Sequence, residues 1–128
     1  MAEMNDRRAR ELEGRKAEIH VARWLKLRGW KILSQRFKIT EGEVDIIARR
    51  KNIIIFVEVK QRAALPKIED IVSQTNINRV MEAAEIWVNQ NFESLGPDFE
   101  IRFDLAVIEG RVHPLAKVHY IESAFSGF

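Results

Sequence analysis

Two apolar runs dominate the hydropathy pattern of this 128-residue chain. Gly42-Glu43-Val44-Asp45-Ile46-Ile47-Ala48 and Ile53-Ile54-Ile55-Phe56-Val57-Glu58-Val59-Lys60 are rich in β-branched and aromatic residues. The charged tetrapeptide Arg49-Arg50-Lys51-Asn52 between them predicts a β-hairpin. Residues 53–59 are apolar on both faces apart from Glu58, the pattern of a central strand covered on both sides. Upstream, residues 6–28 read as a helix with Asp6 as N-cap and Gly29 as its stop, followed by a strand over 30–38. Downstream, residues 63–69, with Pro66, read as a loop. A second helix runs from about 70–75 to 91, with Ile77, Val80, Ala84 and Trp87 at helical spacing and Trp87 a core residue. Beyond Gly96-Pro97, residues 100–108 and 112–121 read as strands joined at Gly110. The order α-β-β-β-α-β(-β) predicts one α/β domain over residues 1–128, with 1–6 flexible. A helix crossing between strands implies a mixed sheet with helices packed on it.

The hairpin places charged groups in apolar strands, where they are costly unless compensated. Side chains alternate along a strand, so Glu43, Asp45 and Ile47 are expected on one face, and Ile54, Phe56, Glu58 and Lys60 on one face of the next. A two-residue turn at Lys51-Asn52 sets Asp45 opposite Glu58, whereas a four-residue turn sets Glu43 there. Either keeps the carboxylates on a common face with Cβ atoms roughly 4.5–5.5 Å apart when directly opposed. Opposed like charges destabilise a sheet, and a hard cation such as Mg²⁺ or Mn²⁺ turns that repulsion into coordination. Lys60, two residues from Glu58, then reaches an anion nearby. The competing account is an exposed Glu58/Lys60 ion pair at a strand end with Asp45 a solvated rim residue.

The first helix adds another acid. Glu18 aligns with Gly14, Val21, Ala22 and Leu25 on the face expected to pack on the sheet, and Gly14 would permit a close backbone approach. With Asp45 and Glu58 it makes a three-carboxylate cluster. Alone, it would be explained by pairing with Arg15 or His20 at the edge of the stripe.

Composition narrows the function classes. Hydrophobic residues make up 46% and charged residues 31%, an ordinary globular balance. Without cysteine there are no disulfides, thiolate zinc sites or Cys nucleophile. The charged N-terminus lacks the apolar core of a secretory signal and no run approaches a membrane span, so a cytoplasmic protein is expected. Net charge is only +2, yet residues 1–38 hold eleven Lys/Arg against five acids and residues 63–128 hold five against ten. The basic third, which includes Arg15, suits either a phosphate-binding surface or a solvated helix face. His20, His113 and His119 are dispersed and gain no role. Arg102 and Asp104, alternating with Phe103 and Leu105, read as a structural ion pair.

The order Asp45-x(12)-Glu58-Val59-Lys60 resembles the metal-dependent phosphodiesterase signature of the PD-(D/E)XK nucleases. Gly14-x3-Glu18-x3-Ala22-x2-Leu25-x3-Gly29, Gly42 to Ala48, Phe56-Val57-Glu58-Val59-Lys60-x-Arg62, Ala83-Ala84, Arg102-Phe103-Asp104-Leu105 and Ala124-Phe125 together resemble the bacterial YraN-type family of uncharacterised proteins. That family is similar in turn to archaeal Holliday junction resolvases. The resemblance spans about residues 8–125 and implies a restriction-endonuclease-like core. It implies Glu18, Asp45 and Glu58 as ligands of Mg²⁺ or Mn²⁺, with Asp45, Glu58 and Lys60 catalytic. Arg15 of the basic third, Arg62, and Gln74, Asn76 and Arg79 early in the second helix are expected nucleic-acid contacts; Asn76 stands where the family has a Lys, a role Gln74, Asn76 or Arg79 would take over. The expected activity is endonucleolytic cleavage of structured or branched DNA, with a homodimer favoured because two strands are cut symmetrically. The alternative is a nucleic-acid-binding module that keeps the fold without the turnover.

Overall fold

The computed structural model describes residues 2–65, 67–71 and 73–125. Its elements are α1 (Ala2–Leu27), β1 (Lys31–Ile39), β2 (Gly42–Arg50), β3 (Ile53–Arg62), the one-turn α2 (Ile68–Ile71), α3 (Gln74–Leu95), β4 (Glu100–Glu109) and β5 (Val118–Ile121). The strands form one mixed sheet in the order β1-β2-β3-β4-β5, antiparallel except for β3 with β4. The predicted α/β class and element order therefore hold. β3 is central, and the crossover through α3 makes it parallel to β4, as a helical connection between neighbouring strands requires.

Each face of the sheet carries a helix. Ala17, Val21, Ala22 and Leu25 of α1 pack on Ile46, Ala48, Ile55, Val57 and Val59. On the opposite face Val80, Ala83, Ala84 and Trp87 of α3 pack on Val44, Ile47, Ile54 and Phe56. Trp87 meets the edge of Phe56 at 5.9 Å, and its place in the core matches the reading from helical spacing. Alternate residues of β3 serve the two layers, which is why Ile53–Val57 is an unbroken apolar run.

Several boundaries differ from the sequence pattern for local reasons. α1 begins at Ala2, so Asp6 lies inside the helix rather than capping it. The segment expected to be a loop contains α2, while Pro66 itself lies outside the described residues. α3 starts at Gln74, where the Ser73 side chain accepts from the Asn76 amide as an N-cap, and continues to Leu95 before Gly96. The last strand is confined to Val118–Ile121, because a turn closed by the Ala116 amide on the His113 carbonyl occupies residues 113–116.

Candidate active site

β2 and β3 are joined by a two-residue turn, with Arg50 paired to Ile53. This is the register that sets Asp45 opposite Glu58. The backbone ladder, however, runs only from that turn to Ile46 and Val57. From there β2 continues against β1 and β3 continues against β4, so the two strands fork. Asp45 and Glu58 stand at the apex of the fork.

The fork coincides with a break in alternation. Val44 packs with the α3 layer and Ile46 with the α1 layer, although residues two apart on a regular strand share a face. Opposite them, Arg36 in β1 adopts φ 57°, a left-handed conformation uncommon outside Gly and Asn. The expectation that Glu43, Asp45 and Ile47 share one face is corrected accordingly, since both strands change faces at Arg36 and Asp45. The Asp45 side chain turns toward β3, where its Oδ2 accepts from the Val59 amide at 2.8 Å. A carboxylate thus replaces the missing ladder bond, satisfying a backbone donor that the fork would leave unpaired.

This position allows Asp45 to meet acids from both layers. Its carboxyl group neighbours Glu18, from α1, and Glu58, on the α3 face of β3, closely enough to raise the pKa of both. Asp45 is 8% exposed, and the side chains of Glu18 and Glu58 are 14% and 13% exposed, so little water screens the cluster. Burial first, and the neighbouring Asp45 second, raise Glu58 to about 9 and Glu18 to about 7. Two cations oppose this: Arg36 Nε lies 3.5 Å from Glu18 Oε2 and Lys60 Nζ lies 3.5 Å from Glu58 Oε1. Sequence patterning missed Arg36, because nothing in a side-chain pattern announces a left-handed arginine.

The donor set is all carboxylate oxygen, the chemistry that suits Mg²⁺ or Mn²⁺ rather than a softer metal. Among the described residues, no three His, Asp or Glu side chains as they stand form a group able to hold a metal ion. One Asp45 oxygen is engaged by an amide, and Glu18 and Glu58 each face a cation. The set fits a hard cation in chemistry and requires the glutamates to leave their cationic partners.

Other predicted residues fall into two groups. Asn76 lines a small pocket with Glu58 and Lys60, with Ile77, Val80 and Phe125 as further walls, so the start of α3 does face the carboxylates. Arg62 lines a cleft of about 420 Å³ between β3 and the first half of α1, shared with Arg10, Glu13, Gly14 and Lys60. Gly14 opens this cleft. A Cβ there would meet nothing within 4 Å, which corrects the expectation of a close backbone approach. Gln74 is bonded to Asn78 within α3, Arg79 is exposed with its backbone against Gly42, and Arg15 lies in a groove with Arg8, Glu11 and Leu12.

Arg102 and Asp104 are structural, as their alternation suggested. Asp104 is fully buried and accepts from Arg102 Nε and Nη2, from the Tyr120 hydroxyl at 2.5 Å and from the Ser123 amide at 3.0 Å.

Among the described residues no helix is long and apolar enough to cross a membrane. The model of the uncharacterised protein family UPF0102 matches residues 17–108, the stretch that carries Glu18, Asp45, Glu58 and Lys60. A UPF0102 protein of Bartonella bacilliformis is 38% identical over 122 residues, covering 94% of this chain and 93% of its own. One from Bradyrhizobium diazoefficiens is 40% identical over 101 residues, covering 79% and 74%, and one from Agrobacterium fabrum is 34% identical over 119 residues, covering 93% of each. The chain belongs to the uncharacterised protein family UPF0102, the YraN-type family to which its motif order points.

Proposed function

We propose that this protein is a metal-dependent endonuclease that hydrolyses phosphodiester bonds in structured or branched DNA. The observation that carries this reading is Glu18, Asp45 and Glu58 brought together beside Lys60 at the β2/β3 fork. Asp45 and Glu58, joined by Glu18, would hold one or two Mg²⁺ or Mn²⁺. An ion held there would supply a water of lowered pKa and neutralise charge on the phosphoryl oxygens.

The protein's residues do the positioning. Released from Glu58, Lys60 would turn its ammonium to the negative charge that develops on the phosphoryl oxygens as the water oxygen bonds to phosphorus, giving up its proton to solvent, and the sugar oxygen leaves and takes one up. Asp45 is locked by the Val59 amide, so one ligand is preorganised before substrate arrives. The cleft beside Lys60, with Arg10 and Arg62 on its walls, offers cationic contacts to adjoining phosphates.

Purified protein given Mn²⁺ or Mg²⁺ is expected to cut a labelled four-way junction or flap. Asp45→Ala and Lys60→Ala should abolish cutting while each protein still folds, with the wild-type circular dichroism spectrum; Asp45→Ala also loses the acceptor of the Val59 amide, so its melting point will move. Cleavage that persists undiminished in Asp45→Ala would sink the assignment of the site.

Asn76 favours a second reading, a nucleic-acid-binding module without turnover. It presents a neutral amide beside Glu58 and Lys60, where the resemblance to the YraN-type family leads one to expect a Lys. Salt-dependent DNA binding retained in Lys60→Ala, with no cleavage of any substrate by wild type, would select it.

A further inference from the structure

α1 and the β4–β5 loop flank a second, open pocket, of about 190 Å³, lined by none of the clustered carboxylates and mostly by exposed side chains. Its lining is of two kinds: Lys16, Arg23 and His113 are cationic or proton-donating, and Ile19, Val112 and Pro114 are apolar. The loop is tied to the helix by His20, whose Nε2 lies 2.8 Å from the Ala116 carbonyl oxygen and donates to it. The His113 Nδ1 accepts from the Leu115 amide at 3.2 Å, so a neutral ring carries its proton on Nε2.

These donors face solvent with few protein acceptors nearby. Among the described residues Arg23 pairs with no carboxylate, and Lys16 has only the exposed Glu13 at 3.6 Å, a contact of small value. Residues 110–117 add Arg111 and Lys117 and contain no acid. Three N–H-bearing groups converging from a helix and a loop recognise an anion with several oxygens, and the planar guanidinium of Arg23 is suited to a phosphate. The apolar half of the lining would be wasted on an inorganic ion but offers a surface for a sugar or base.

We infer that this pocket binds a single nucleotide unit, its phosphate on Lys16, Arg23 and His113 and its nucleoside against Ile19, Val112 and Pro114. The unit is either a free nucleotide or one residue of a nucleic-acid strand. The inference stands independently of turnover at Lys60.

The test is an NMR titration of the full chain with dAMP, inorganic phosphate, deoxyadenosine and a trinucleotide. Inorganic phosphate should move the His113 ring signals, and dAMP those signals together with the Ile19 and Val112 methyls. Deoxyadenosine should bind at least tenfold more weakly than dAMP. Arg23→Ala should weaken dAMP, read at the His113 signals, at least fivefold, and Arg23→Lys less. A trinucleotide that binds tenfold tighter through the same signals assigns the site to a strand, and equal affinity assigns it to a free nucleotide. Equal binding of dAMP and deoxyadenosine, an undiminished response in Arg23→Ala, or no shift with any ligand would overturn the inference.

Discussion

Between about pH 4.5 and pH 9, the folded protein keeps a proton on Glu58 that the unfolded chain has released. Stability depends on pH through the difference in bound protons, and here the folded state binds more. The contribution is therefore fully present below pH 4.5 and is lost as pH rises toward 9. Glu58→Gln, which needs no proton, should melt higher than wild type at pH 8 and show a flatter dependence of Tm on pH between 5 and 9. A Tm for Glu58→Gln below that of wild type at pH 8 would count against a repulsive cluster. Asp104 is the opposite case, a buried carboxylate whose partners are complete. Asp104→Ala leaves Arg102 and the Tyr120 hydroxyl without their acceptor and should cost about 3–5 kcal/mol in urea unfolding.

At the scale of elements, two glycines give predictions of opposite sign. Gly14 lies within α1, where glycine is unfavourable, and a Cβ there meets nothing, so Gly14→Ala should add about 0.5–1 kcal/mol of stability, read from thermal melts. The same methyl projects into the cleft beside Lys60, and bulkier replacements should weaken nucleic-acid binding without unfolding the helix. Gly42 is packed against a helix backbone: a Cβ would sit 1.9 Å from the Arg79 carbonyl oxygen. Gly42→Ala should therefore cost about 3 kcal/mol, since neither backbone yields cheaply. The elements themselves were largely legible, because Ile53 to Val59 and the stripe through Trp87 each carry one dominant period. The neighbourhood of Asp45 and Glu58 was legible too, through the two-residue turn. What escaped was the exchange of faces at Asp45, which depends on a left-handed Arg36 in the neighbouring strand. Strict alternation gave the right neighbours by the wrong route, placing Asp45 on a sheet face when it fills a gap in the ladder. Gly14 was misread because a glycine on a packing stripe has the same pattern whether it admits a backbone or leaves a space.

Over the whole molecule, basic residues concentrate in the first third and acids in the last half, so the near-neutral net charge conceals a dipolar distribution. If the cleft between α1 and β3 follows a phosphate backbone, DNA affinity should fall steeply with salt. Arg62→Ala should then reduce the slope of log K against log salt by about 0.9 on duplex DNA, measured by fluorescence anisotropy. An unchanged slope would place the strand elsewhere.

The left-handed Arg36 also bears on how copies of this chain meet one another. β1 is an outer strand of the sheet, and a long regular edge is a template for another molecule's strand. Here the register shifts between Ile32 and Ser34, Arg36 interrupts the run again, and Lys31, Arg36 and Lys38 charge what remains. An edge broken twice within nine residues and lined with cations offers no continuous row of amides to recruit a partner. The left-handed residue beside the fork thus also guards this edge of the sheet against pairing with another chain's strand.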